Sequence, residues 1–152
     1  MNDNLKGVPF PQADNIYKLM KIVDSFSGKN HLETFKNIDL DLSQRQYKYY
    51  LDAAIYLDLL DKAGSATELG VSIFSSDKKT LFKSMVVQIL TKKIFFDFYK
   101  LNDSNKTIFF LTKEYKLSKS TAKRRFITVK TWVNWCRIIL KENNLESVEE
   151  IN

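Results

Sequence analysis

An apolar seam in the last third of the chain constrains the fold more than any other feature. Small and apolar side chains recur at steps of four, three, four, three and four residues between positions 122 and 140. This spacing places side chains on one face of an α-helix. The seam consists of Ala122, Phe126, Val129, Val133, Cys136 and Leu140. Because nothing interrupts it and Ser118 precedes it as a good N-cap, the sequence predicts a long helix packed into a core.

The same stretch, YKLSKSTAKRRFITVKTWVNWC at 115–136, begins with a different character. Its first turns carry Lys119, Ser120, Lys123, Arg124 and Thr128, all of them away from the seam. A recognition helix enters the major groove by its N-terminal part, and phosphates are contacted by Lys, Arg, Ser and Thr. The pattern therefore indicates a helix whose start lies against nucleic acid. Polar starts also occur on ordinary surface helices, so a solvated face is the alternative.

The first half of the chain has a comparable order of elements. Asp14 is a candidate N-cap for a helix over NIYKLMKIVDSF, and Asn30 for a short helix over HLETFKNI. Ser43, with Gln46 three residues later, predicts a capping box at the start of a third helix. The predicted inward side of this third helix consists of Tyr47, Tyr50, Leu51, Ala54, Leu57 and either Leu60 or Asp61. Its opposite side begins with Gln44, Arg45, Lys48 and Tyr49.

The remaining segments complete a mainly α fold. LDLLDKAGSATELGVSIF predicts a short wing followed by a helix, residues 77–101 predict one long connecting helix, and KTIFFLTKEY predicts a short helix. With only four Gly and two Pro, a turn-rich β fold is disfavoured. We expect two helix-turn-helix or winged-helix-like units, at 8–76 and 77–141, with a long connecting helix and little β structure, followed by an acidic tail at 142–152. A plain helical bundle is the alternative.

Charge is distributed unevenly along the 152 residues. Residues 1–76 have 8 Lys/Arg and 10 Asp/Glu, a net charge of −2, whereas residues 77–141 have 16 against 4, a net charge of +12. The tail has four Glu and no basic residue, so the three parts sum to +6. A basic segment of this size favours a polyanionic partner, although solvated Lys-rich helix faces are common.

Several of these stretches together resemble a known module. The most specific are RQYKYYLDAAIYLDLL and STAKRRFITVKTWVNW, accompanied by PFPQADNIYKLMKIVDSF and ATELG. Over residues 8–140 the chain resembles the tandem winged-helix DNA-recognition module of some type II restriction enzymes and related small bacterial proteins. The resemblance implies sequence-specific binding of double-stranded DNA, with cleavage located in a separate domain. A nuclease or methyltransferase partner is left open, as is the oligomeric state.

The residues expected to contact DNA lie at the starts of the two longer helices. They are Ser43, Gln44, Arg45, Lys48 and Tyr49 in the first unit, and Ser118, Lys119, Ser120, Lys123 and Arg124 in the second. We therefore expect a double-stranded DNA-binding protein, the target-recognition module of a restriction-modification-type system. A small transcription regulator is the alternative within this class. A protein-interaction domain, using aromatic residues around Phe95, Phe98, Trp132 and Trp135, is the alternative from another class.

The sequence predicts no enzyme, cofactor or metal site. A single His and a single Cys exclude a zinc site built from these residues. EYK at 114–116 matches half of a nuclease motif, but no Pro-Asp precedes it, and Asp39 and Asp41 suit a loop before an N-cap. His31 has no obvious catalytic partner and is expected at the surface. With one cysteine and no apolar run near the ~20 residues of a membrane span, we expect a cytoplasmic protein that does not enter membranes.

Overall fold

The computed structural model describes residues 11–151, so residues 8–10 of the predicted first unit lie outside the described part. Eight α-helices follow one another in this part of the chain. They are α1 (Ile16–Phe26), α2 (Leu32–Phe35), α3 (Gln44–Tyr56), α4 (Glu68–Phe74), α5 (Lys78–Leu90), α6 (Lys93–Leu101), α7 (Ser104–Glu114) and α8 (Lys119–Glu142). A 3-10 turn at Val148–Glu150 ends the described chain.

β structure within residues 11–151 is limited to one isolated antiparallel bridge between Leu60 and Ala66. The bridge closes a turn through Gly64, whose φ of +87° lies in the left-handed region. It occupies the place where the sequence predicts a wing. The expectation of a mainly α fold with little β structure is confirmed.

The helix starts were predicted best where a capping residue acts locally. The Ser43 Oγ accepts from the Gln46 backbone N–H at 3.1 Å, and the Gln46 Oε1 accepts from the Ser43 N–H at 3.0 Å. This is the predicted capping box. Ser118 caps α8 by accepting from the Thr121 N–H at 3.2 Å. The predicted starts of α3 and α8 are therefore confirmed.

Two other predicted caps are wrong. The N-cap of α1 is Asn15, whose Oδ1 accepts from the N–H groups of Tyr17 and Lys18. Asp14 instead accepts a hydrogen bond from the Thr128 Oγ1 of α8 at 2.5 Å. Asn30 does not cap α2, which begins one residue later than its predicted start, after His31. The Asp14 carboxylate was misassigned because its partner lies 114 residues away in the sequence.

The predicted long connecting helix is also wrong, because the chain breaks at Thr91 and Lys92 into α5 and α6. Lys92 has an extended backbone, with ψ of 128°, and is 8% exposed. Its Nζ lies 3.1 Å from the Asp58 Oδ2 and 5.2 Å from the centre of the Tyr56 ring. The break thus turns this lysine toward the end of α3, where its charge has an anionic partner and an aromatic face.

A single core spans both predicted units. The whole predicted seam of α8 is buried, and it forms one cluster with residues of α1, α3, α5 and α6. Trp132 donates from Nε1 to the Ala13 carbonyl at 2.7 Å, and Gln88 donates from Nε2 to the Leu57 carbonyl at 3.0 Å. Tyr47 departs from the predicted inward side of α3, since it is 37% exposed. The two units share their apolar interior and therefore stabilise each other.

The acidic tail packs against α5 and α6. The Val148 N–H donates to the Tyr99 hydroxyl at 3.3 Å, and Glu149 lies 3.5 Å from the Lys100 Nζ. Leu145 and Val148 are partly buried against the core. No helix within residues 11–151 combines the length and the apolar character needed to cross a bilayer.

Candidate nucleic-acid interface

The first turns of α8 present a cationic surface to solvent. Lys119, Ser120, Lys123 and Arg124 are exposed, while Ala122 between them is completely buried. This alternation follows from the helical period, which turns the seam inward and the basic residues outward. Within the described residues, none of Lys119, Lys123 and Arg124 forms an ion pair. Their charges are therefore left to solvent or to an anionic ligand.

A short hydrogen-bond network holds the start of α8 in place. The Ser118 Oγ lies 2.9 Å from the Thr121 Oγ1 and 3.3 Å from the Ser120 Oγ. The Arg124 Nη2 donates to the Thr121 Oγ1 at 3.2 Å. Ser118 thus serves mainly as the helix cap, and Arg124 is oriented by a neighbour one turn earlier.

The start of α3 is exposed as well, but its charged side chains interact with other side chains of the same helix. Gln44 and Arg45 are exposed, and the Arg45 Nε donates to the Tyr49 hydroxyl at 2.6 Å. The Arg45 guanidinium carbon lies 5.7 Å from the centre of the Tyr49 ring. Lys48 forms an ion pair with Asp52 at 3.0 Å. The Ser43 side chain takes part in the capping box. Gln44 and Arg45 are therefore the polar residues of this helix start that are most available to a ligand.

Arg125 connects the two helix starts, and the sequence did not single it out. Burial lowers the pKa of the Arg125 guanidinium, the Tyr49 phenol raises this pKa, and the charge of Arg124 lowers it. Two hydrogen bonds, Arg45 to Tyr49 and Arg124 to Thr121, and the electrostatic interactions of Arg125 with Tyr49 and Arg124 thus link five residues of the two helix starts: Arg45, Tyr49, Arg125, Arg124 and Thr121. We call these five residues the arginine line.

Residues 14 and 15, which directly precede α1, form hydrogen bonds to both α3 and α8. The Asn15 N–H donates to the Tyr50 hydroxyl of α3 at 3.1 Å, while the adjacent Asp14 accepts from Thr128 of α8. Burial, and to a lesser degree the Asp14 charge, raises the pKa of Tyr50, although the bond from Asn15 lowers it. Residues 14 and 15 thus bridge the two helices. They bond to Tyr50, which follows Tyr49 in α3, and to Thr128, three residues after Arg125 in α8.

The elements before α8 are arranged as helix, turn and helix. α7 ends at Glu114, residues 115–118 form the connection, and α8 begins at Lys119. Lys116 in the connection has a φ of +54°, which reverses the chain direction over few residues. Phe126 of α8 contacts Phe98 of α6 edge-to-face at 5.1 Å between ring centres. α6, α7 and α8 therefore pack as a three-helix unit around one end of α8.

The residues considered for catalysis are not gathered into a site. His31 is 6% exposed, which corrects the expectation of a surface residue, and its backbone N–H donates to the buried Asp24 carboxylate. Burial raises the pKa of the Cys136 thiol far above its usual range, so this sulfur stays protonated. Asp39 accepts from the Asp41 N–H at 2.9 Å in the loop before Ser43. No group of three or more His, Cys, Asp and Glu residues suited to a metal ion occurs in the described part.

The aromatic residues named for protein interaction lie inside the fold. Phe95 and Trp132 are completely buried and stack at 5.1 Å between ring centres, and Phe98 and Trp135 are 3% and 6% exposed. The expectation that these four side chains are available to a partner is wrong, because they fill the core of this chain.

Comparison with known proteins gives a family without an assigned activity. A family model described as a domain of unknown function (DUF7226) matches residues 15–141, which extend from the N-cap of α1 almost to the end of α8. The chain therefore belongs to this family. No curated protein and no solved structure matches it.

Proposed function

We propose that this member of the DUF7226 family binds double-stranded DNA through the starts of α3 and α8. The observation that carries the proposal is the cationic start of α8, where Lys119, Lys123 and Arg124 are exposed and form no ion pair within the described residues. The arginine line adds Arg125, whose pKa is lowered by the like charge of Arg124. Clustered like charges are unfavourable in an isolated protein, and a polyphosphate backbone removes this repulsion. Arginine is also the side chain best suited to bind both phosphates and guanine edges.

The arrangement of elements supports the same proposal. In our interpretation α7, the connection at 115–118 and α8 act as a helix-turn-helix, with α8 as the recognition helix. α1, α2 and α3 form a second such unit, and the turn closed by Leu60 and Ala66 is a minimal wing. The role we propose is target recognition in a restriction-modification-type system, with small transcription regulator as the alternative. A nuclease or methyltransferase would then be a separate partner.

Removing the exposed positive charges of α8 tests the proposal. In the variant Lys119→Ala/Lys123→Ala/Arg124→Ala, we expect weaker binding to every duplex, because phosphate contacts carry no sequence information. The slope of log affinity against log salt should decrease by about one counterion per lost contact. Fluorescence anisotropy with a labelled duplex at several salt concentrations measures both quantities.

The control variant is Lys78→Ala/Lys79→Ala/Lys141→Ala, which removes the same charge from exposed positions at the start of α5 and the far end of α8, outside the two helix starts and the wing. It should keep nearly the wild-type salt slope. Thermal unfolding of both variants should resemble that of the wild type, since all six side chains are exposed. If the α8 variant folds normally and binds as well as the wild type, the start of α8 is a solvated face and the proposal is wrong.

We further propose that the chain does not cleave DNA. The basis is the isolation of Glu114, which is exposed at the end of α7, and of Asp39, which is held in an Asx-type turn. Incubation of a plasmid with the protein and Mg²⁺ should leave it intact. Cleavage that disappears in Glu114→Gln or Asp39→Asn would show that a real metal-dependent site is present.

A further inference from the structure

A groove between α7 and α8 is lined by apolar as well as cationic side chains, unlike the rest of the proposed DNA-binding surface. It encloses about 620 Å³ and is lined by Asn105, Ile108, Phe109 and Thr112 of α7 together with Lys119 and Lys123 of α8. The volume lies within the range of about 300–1,000 Å³ that small-molecule sites occupy. Two of the cations proposed to contact DNA thus stand at the edge of an aromatic and aliphatic cleft.

Phe109 is the most unusual residue in this groove, because 65% of its surface is exposed. Single exposed apolar residues are common and by themselves indicate nothing. Leu101 gives the comparison: it is 63% exposed, but it lines a cleft of about 160 Å³ that also contains Asp97. Two other clefts of similar volume within residues 11–151 also hold an aromatic ring beside cations, but Lys100 already lies over both of these rings, Phe96 and Tyr99. The Phe109 cleft combines an exposed ring, sufficient volume and adjacent positive charge.

From this combination we propose that the α7–α8 groove binds an unpaired nucleobase. The base stacks on the Phe109 ring, and Lys119 and Lys123 bind the phosphates on either side of it. Every base has a π-face, so stacking on an aromatic side chain does not require a particular sequence. The inference rests on the proposed DNA binding and adds to it a preference for DNA in which one base has left the helix.

The polar groups of the groove are suited to the edge of such a base. The Asn105 amide carries both donors and an acceptor. The Thr112 Oγ1 donates to the Phe109 carbonyl at 2.7 Å, so its remaining lone pairs are directed to act as acceptors. Because Thr112 bonds to the backbone of Phe109, its hydroxyl is held one turn of α7 from the residue that carries the ring.

An unpaired base reaches this groove most easily where the duplex is already interrupted. Extruding a base from a perfect duplex requires unstacking and unpairing, and the cost is smallest at a mismatch or bulge. We therefore expect the wild-type protein to bind a 20-base-pair duplex with a single-base bulge more tightly than the same duplex without the bulge. The expected ratio is on the order of tenfold, the effect of one base–aromatic stack.

Anisotropy titrations of both duplexes with three variants test this inference. Phe109→Ala should reduce the preference for the bulged duplex to less than about twofold while leaving the affinity for the perfect duplex nearly unchanged. Phe109→Trp should retain the preference, because indole also stacks. Leu101→Ala is the matched control for loss of an exposed apolar side chain and should behave as the wild type.

The possible failures can be distinguished. If the wild type binds both duplexes equally with a steep salt dependence, or if Phe109→Ala retains the preference, the base site is wrong and DNA binding stands. The exposed ring would then be assigned to a protein contact. If the wild type binds neither duplex, the proposed function itself is wrong, and this inference with it.

Discussion

The Tyr49 hydroxyl accepts a hydrogen bond from Arg45 within α3, and the Tyr49 phenol raises the pKa of Arg125 in α8. Its ring also lies beneath the Arg45 guanidinium. A single side chain thus orients Arg45 and interacts electrostatically with an arginine of another helix. The sequence suggested Tyr49 as a direct DNA contact, whereas these distances suggest a positioning role.

Tyr49→Phe separates orientation from charge at this position. The variant keeps the ring but removes the acceptor for Arg45, so the guanidinium becomes less ordered. We expect affinity for the preferred duplex to decrease by about 1 kcal/mol, the net effect of a typical intramolecular hydrogen bond. The salt slope should not change, because no cation is removed. Tyr47→Phe, on the exposed side of the same helix, is the control.

Anisotropy at several salt concentrations checks both quantities for each variant. A Tyr49→Phe variant with the affinity of the wild type would show that the hydroxyl does not orient Arg45 for DNA. A decrease in salt slope would instead show that the Tyr49 hydroxyl contributes to the placement of phosphate-binding groups.

The residues that sequence reasoning misplaced have partners in another element of the fold. The buried His31 donates its backbone N–H to Asp24 of α1, and the buried Lys92 lies beside Asp58, 34 residues earlier in the chain. Arg125 looked like one more cation of a basic run, since its electrostatic interaction with Tyr49 of α3 depends on the tertiary fold. Spacing within one helix predicts which face is apolar, but it contains no information about the element opposite.

At the scale of elements, the segment TELG at 67–70 fixes α4 against the end of α3. The Thr67 Oγ1 donates to the Asp58 carbonyl at 2.7 Å and accepts from the Gly70 N–H at 2.9 Å. A Cβ built on Gly70 would lie only 2.2 Å from the Leu59 backbone oxygen. Glycine is therefore needed for close approach of two backbones, while threonine supplies the cap.

Gly70→Ala should destabilise the protein even though alanine is the better helix former. The propensity gain is about 1 kcal/mol, whereas forcing a methyl group against a backbone carbonyl costs about 1–3 kcal/mol and displaces the helix. We expect a net decrease in the free energy of unfolding, measured by urea denaturation. Ser72→Ala, at an exposed position of α4, is the control and should be neutral or slightly stabilising.

Equal stability of Gly70→Ala and the wild type would mean that α4 moves away from Leu59 without loss of free energy of unfolding.

Helix features were predictable from the sequence where they depend on residues close together in the chain. The seam of α8 and the capping box of α3 depend on neighbours three or four residues apart, so both appeared in the sequence. The break between α5 and α6 depends on the placement of Lys92 near α3, and an apolar stripe over 77–101 did not reveal it.

At the scale of the whole molecule, both helix starts are anchored in one core. Trp132 and Thr128 of α8 form hydrogen bonds to Ala13 and Asp14, just before α1. Tyr50 of α3 accepts a hydrogen bond from the adjacent Asn15. A shared interior makes the relative position of the two starts a fixed property of the fold. A duplex that contacts α8 through phosphates is then presented to α3 in one register, which is the condition for reading bases with a second element.

The two starts should therefore contribute unequally to binding. Gln44 and Arg45 belong to a part of the chain with a net charge of −2, in which nonspecific attraction is weak. In Gln44→Ala/Arg45→Ala we expect a loss of roughly 1–3 kcal/mol on the preferred site, as for a lost base contact, and far less on random DNA. Selection of bound sequences from a random duplex pool supplies the preferred site. Anisotropy on selected and random duplexes then gives the two affinities.

The Lys119→Ala/Lys123→Ala/Arg124→Ala variant is the comparison, because it should weaken binding to selected and random duplexes alike.

Arg45 and Arg124 are linked through Tyr49 and Arg125, so combining the two variants should reveal coupling beyond the sum of their separate effects. Additive losses would indicate that the helix starts bind independently. Equal losses on selected and random DNA for Gln44→Ala/Arg45→Ala would show that α3 contacts only phosphates. The arginine line would then be a continuous backbone-binding surface, and sequence selection would have to come from another part of the chain.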